Sequence, residues 1–84
     1  MTRAELEKMV VEAIASVAPE VSAQTLRSDR PFREQLDLDS MDYLRFLVAL
    51  GERVKLDIPE VDYPKLHGVA ACADYLERRL GAKT

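Results

Sequence analysis

Leu6, Met9, Val10, Ala13, Ile14 and Val17 recur at three- and four-residue intervals, with Glu5, Lys8 and Glu12 falling mostly between them. That spacing is one face of a helix. Thr2 is its candidate N-cap, Glu5 three residues later completes a capping box, and Pro19 marks its end, so a helix is predicted over about 3–18. From 19 to 38 no long period survives, because Ser22, Gln24, Thr25, Ser28, Asp29 and Pro31 interrupt it. Leu26, Phe32 and Leu36 are expected to plug this segment onto a core. A connection of that length is unusual in a compact domain, so it is either functional or holds a turn of helix around Phe32 to Leu36.

The period then returns in a denser form. Met41, Tyr43, Leu44, Phe46, Leu47, Val48, Leu50 and Val54 cover most of the circumference of a helix predicted over about 40–54. A helix apolar on most sides is either central or turns one face to a partner. Leu56 and Ile58 can fold inward from the following connector. Pro59 and Pro64 confine the next helix, about 60–66, to a turn or so. The last helix, about 69–80, carries Val69, Cys72, Ala73, Leu76 and Leu80 on one face, with Gly81 as its stop. No strand-like alternation persists. The expected fold is all-α, a small four-helix bundle of three longer helices and one short one.

The 84 residues make a single domain with a modest core. Fifteen acidic against twelve basic side chains give a net charge of −3, which argues against nucleic-acid binding. One cysteine allows no internal disulfide and one histidine no metal cluster. The amino-terminal residues enter an amphipathic helix at once, without the apolar run of a signal sequence. Nor does any stretch reach the apolar length of a membrane span. A cytoplasmic monomer is the expectation.

Candidate chemistry concentrates at the start of the second helix, in Leu36-Asp37-Leu38-Asp39-Ser40-Met41-Asp42. With Asp39 as N-cap, Asp42 falls at N3 and Ser40 is the first helical residue, its hydroxyl pointing outward beside the positive end of the helix dipole. A phosphate ester would be favoured there by the dipole and the free N–H groups. The flanking carboxylates oppose an anion and make better sense as recognition charges. By itself Asp39-Ser40 reads as a plain helix cap. Other motifs fail. Asp37-x-Asp39 starts like a calcium loop, but Asp42 replaces its turn glycine and Val48 its closing glutamate. His67 and Ser40 lack a nucleophile elbow and an orienting acid, so His67-Gly68 is expected to be a turn at the mouth beside Ser40. Cys72, on the apolar face of the last helix, is expected to be a buried small hydrophobe.

The run Leu36 to Leu50, then Leu56-Asp57-Ile58-Pro59-Glu60, and finally Val69 with Ala73-Asp74-Tyr75-Leu76, resembles the acyl carrier proteins over nearly the whole chain. The resemblance implies a phosphopantetheine arm on the serine of an Asp-Ser-hydrophobic motif. A phosphopantetheinyl transferase would install it from coenzyme A, and its thiol would hold acyl groups as thioesters for fatty-acid, polyketide or related synthesis. On that reading Ser40 is the attachment residue, Asp39 the preceding motif acid and Met41 the motif hydrophobe, and no catalytic or metal-binding residue is expected.

Met41, Asp42, Leu44 and Arg45 are the candidate contacts for the acyl-loading and acyl-using enzymes. Core packing is nonetheless the expectation for most of Leu44, Leu47 and Val48. The chain departs from the family at Asp37, where glycine is common, and at Arg45, Gly51 and Arg53, where acids are usual. Those changes point to a specialised carrier, unless Arg45 simply pairs with Asp42 or Glu52. The alternatives are a peptidyl carrier, which more often has a glycine-rich approach to the serine, and a helical interaction module without a prosthetic group.

Overall fold

The computed structural model describes residues 2–19 and 26–80. Its elements are α1 (Arg3–Val17), the single turn α2 (Phe32–Gln35), α3 (Ser40–Val54), a 3-10 helix (Glu60–Lys65) and α4 (Val69–Arg79). The three long helices form a small bundle in which α1 packs against both α3 and α4. Leu6, Val10, Ala13 and Ile14 of α1 meet Phe46, Leu47, Leu50 and Val54 of α3 and Val69, Cys72, Ala73 and Leu76 of α4 in one buried core. The three long helices follow the apolar spacing directly. The 3-10 helix instead follows from its prolines, since Pro59 precedes it and Pro64 lies inside it, where an α-helix could not continue.

Capping chemistry sets the ends. The Thr2 hydroxyl accepts from the Glu5 N–H (3.2 Å) and the Glu5 carboxylate accepts from the Thr2 N–H (2.8 Å), which is the expected capping box. α3 ends at Lys55, held in the left-handed region (φ 56°, ψ 48°), and both Lys55 and Leu56 donate their N–H groups to the Gly51 carbonyl. α4 has no side-chain cap. Its first turn is served by the long connection between α1 and α2, whose Ser28 carbonyl accepts from Ala70 N–H at 3.1 Å. Outside the core, Arg3 joins α1 to α4 through Asp74 (2.6 Å) and Glu77 (3.1 Å).

The long connection does hold a turn of helix. Phe32 is fully buried, and its ring meets Phe46 edge to face at 5.1 Å; Leu26 and Leu36 pack partly buried against the same core. Two expectations need correction. His67-Gly68 is not a simple turn. Gly68 is extended and bridges Pro31, and His67 accepts from Phe32 N–H at 2.7 Å. The Arg30 carbonyl lies 2.9 Å from where a Cβ on Gly68 would sit, so no larger residue fits without movement. Leu80, assigned to the apolar face of the last helix, is 39 % exposed beyond its final turn. Gly81, expected to stop that helix, lies outside the described residues, as do Ser22, Gln24 and Thr25 of the long connection.

Candidate functional site

α3 begins where the sequence places it, and for the reason given there. The Asp39 carboxylate accepts from the Asp42 N–H at 2.8 Å, so Asp39 is the N-cap and Asp42 occupies N3. Ser40 is the first helical residue and is exposed. The first-turn N–H groups of a helix lack intrahelical acceptors, and Asp39 takes only one of them. An oxygen substituent on Ser40 therefore meets a polar, positively polarised helix end.

Beside the serine a solvent-open cleft of about 550 Å³ runs between α2, the start of α3 and the end of the 3-10 helix. Its walls include Phe32, Leu38, Tyr43, Pro64 and His67, with Asp39 and Ser40 at the rim. His67 thus does line the mouth next to Ser40, and its Nδ1 lies 3.2 Å from the Pro64 carbonyl. An anchor at an exposed helix end above a mostly apolar trough suits a tethered arm with a polar phosphate at its base. The residues present fit phosphopantetheine.

The remaining candidates separate into two groups. Met41 (58 % exposed) and Leu44 (38 %) form an outward stripe with Val48 (56 %), and Arg45 is exposed beside them. Among the described residues Arg45 makes no ion pair with Asp42 or Glu52, so a simple surface pairing does not account for it. Core packing holds for Leu47 alone of the three helix positions; Leu44 and Val48 are corrected to surface residues because the helix presents them away from α1. Cys72 is wholly buried, and burial pushes its thiol well above the usual range, so it behaves as a small hydrophobe. Arg53 pairs with Glu12 of α1 at 3.3 Å, which gives it a contact within the fold.

Gly51 also has an internal reason. A Cβ there would stand 2.8 Å from the Leu56 carbonyl, so glycine is what lets the connector cross α3 closely.

Two tyrosines have definite work in the structure. Tyr43 reaches across from α3, and its hydroxyl lies 2.7 Å from the Tyr63 carbonyl and 2.9 Å from that of Leu66, donating to this pair of acceptors. Burial pushes its phenol up to about 12, so the donor keeps its proton throughout the neutral range. Tyr75 is buried on α4 and donates to Asp62 at 2.6 Å, while Arg79 approaches both. The two hydroxyls tie the 3-10 helix to α3 and to α4. Their sequence signal was weak: each follows its motif residues at core spacing, but nothing in the chain indicates which carbonyl or acid a phenol will find.

Residues 9–76 match the family described as "Phosphopantetheine attachment site". The mitochondrial acyl carrier protein of Saccharomyces cerevisiae is 31 % identical over 67 residues, which are 80 % of this chain and 54 % of that protein. The chain therefore spans about half the length of the yeast relative. An acyl carrier protein of Bdellovibrio bacteriovorus is 32 % identical over 59 residues, 70 % of this chain and 76 % of its own. One from Campylobacter curvus is 30 % identical over 74 residues, 88 % of this chain and 90 % of its own.

Proposed function

Because the chain belongs to the acyl carrier protein family, with a covalently attached 4'-phosphopantetheine as its cofactor, we propose that Ser40 is the residue that bears the arm. The observation that carries this is the exposed Ser40 hydroxyl at the first position of α3, capped by Asp39 and set on the rim of the apolar cleft. The cofactor supplies a thiol on a long flexible tether, to which acyl groups attach as thioesters. The chain's own part is mechanical. α3 fixes the anchor, its first-turn N–H groups face the phosphate position, and Phe32, Leu38 and Tyr43 offer the apolar trough beside it.

The chain carries acyl groups and leaves their making and breaking to other proteins. Among the described residues no helix is long and apolar enough to cross a membrane, and we place the carrier in the cytoplasm as a monomer. Its partners are a phosphopantetheinyl transferase and the enzymes that load and use the acyl group. They dock on the exposed stripe Met41, Leu44 and Val48, with Asp39, Asp42 and Arg45 as the charged contacts. Arg45 in the middle of that stripe calls for a partner surface with an acid opposite it, as in a carrier dedicated to a specialised acyl pathway.

Incubation with coenzyme A, magnesium and a broad-specificity phosphopantetheinyl transferase tests the assignment. The mass of the chain should rise by one phosphopantetheine, and Ser40→Ala should abolish the gain. An unmodified wild-type chain would instead support a helical interaction module in which Ser40 is only a cap residue.

A further inference from the structure

A second cleft, of about 350 Å³, lies farther along α3; Val48, Leu56 and Ile58 give it apolar wall, and the charged Glu52, Lys55 and Asp57 line it as well. It is apolar along much of its length, it faces the same side of α3 as the cleft at Ser40, and the two share no lining residue. The wall of one is tied to the wall of the other by a hydrogen bond, from Tyr43 of the first cleft to the backbone of Tyr63 in the second. Tyr43 lines the first cleft, and its hydroxyl is tied to the Tyr63 and Leu66 carbonyls at 2.7 and 2.9 Å, which draws the 3-10 helix against α3 at that point. Inward movement is blocked as well. The Tyr43 and Phe32 rings both back onto the fully buried Phe46, at centroid separations of 6.2 and 5.1 Å, so three rings wall the first cleft off from the bundle interior.

We propose that Tyr43 is the specificity-determining residue that limits how long an acyl chain this carrier shelters: short acyl groups lie in the cleft beside Ser40, and the Tyr43 bridge denies longer ones the second cleft. The inference rests on Ser40 bearing the arm. A tail that folds back along its anchor meets apolar wall as far as Tyr43 and then a closed partition, so further methylenes stay in water and add nothing to stability. Opening the partition means giving up both carbonyl contacts of a part-buried hydroxyl, and nothing in an alkyl tail replaces them. The cargo class that follows is short acyl units, as opposed to the long chains of membrane lipids.

The test uses full-length chain loaded at Ser40 from butyryl-, octanoyl- and dodecanoyl-coenzyme A by the transferase, with loading checked by mass. The Tm of each acylated form is compared with that of the same variant carrying the bare arm. In the wild type the gain should level off, with octanoyl and dodecanoyl forms alike. In Tyr43→Ala the two clefts join, and the dodecanoyl form should exceed the octanoyl form by at least about 4 °C, the effect of sheltering one or more further methylenes in a domain of this size. Tyr43→Phe keeps the ring and loses only the bridge, should shift in the same direction by less, and decides the matter where Tyr43→Ala does not fold by circular dichroism. A wild-type gain that climbs steadily to dodecanoyl overturns the proposal, as does a plateau unchanged in a folded variant. Failure of any acyl group to appear on Ser40 would overturn the attachment assignment itself, a result that the mass readout separates from the others.

Discussion

The two faces of α3 carry nearly the same residue types and do opposite things. On the inward face Phe46, Leu47, Leu50 and Val54 are buried against α1, and their removal from water is a main source of stability in a core this small. On the outward face Met41, Leu44 and Val48 are just as apolar and stay in contact with solvent. Hydropathy alone does not separate the two sets. What separates them is angle: with α1 fixed on one side, residues roughly half a turn away have no element to cover them. The outward apolar stripe returns little to the fold, which is consistent with the docking role proposed for it.

The sharpest way to test this division is to remove one side chain from the buried face. Leu50 is wholly buried, so Leu50→Ala should destabilise the chain by about 2–5 kcal/mol in chemical denaturation. Val48→Ala, two positions away on the exposed face, should stay within about 0.5 kcal/mol. Equal losses at the two positions would break the comparison.

Gly51 lies on the boundary between the faces and gives an intermediate effect. An acid at this position would read from sequence as a harmless surface charge. The Leu56 carbonyl is too close for any Cβ, so Gly51→Glu should cost about 1–3 kcal/mol through displacement of the connector. Gly51→Ala should cost nearly as much, since the clash is with the first carbon and not with the charge. A midpoint unchanged in both variants would show that the connector yields freely.

Three features of the chain were legible in the sequence: the helices, the cap at Asp39 and the place of Ser40 as the first helical residue. Each is encoded locally. The apolar period is visible within a dozen residues, and a cap or a motif within four. The features that escaped are set by contacts between residues far apart in the chain. Leu44 and Val48 look like core positions because nothing local tells which side of an apolar helix the bundle will cover. Tyr43 is twenty residues from the Tyr63 carbonyl it holds, and Gly51 was read as a lost recognition acid, although it is required by a backbone crossing that only the folded connector produces. The Arg53 pair was equally hidden, its partner Glu12 belonging to another helix.

Arg45, like Asp37, is a departure for which the fold supplies no internal reason, and it gives the smallest expected effect on stability. It is exposed and, among the described residues, has no ion pair, so Arg45→Glu should leave the denaturation midpoint within about 0.5 kcal/mol of wild type. Its effect belongs to the outward face alone. A like charge facing a docking patch slows encounter, and an opposite one speeds it, in a manner that salt weakens. With a bacterial fatty-acid loading enzyme whose docking patch is basic, Arg45→Glu should therefore raise kcat/KM severalfold at low salt, mostly through KM, and the gain should shrink as salt is added. The bare-arm protein must first be shown by mass to be equally modified in both forms, so that the readout reports docking and not attachment. A kcat/KM indifferent to the substitution at every salt concentration would mean that the charge in the middle of the exposed stripe does not select partners, and the specialised assignment would fall while the carrier assignment stood.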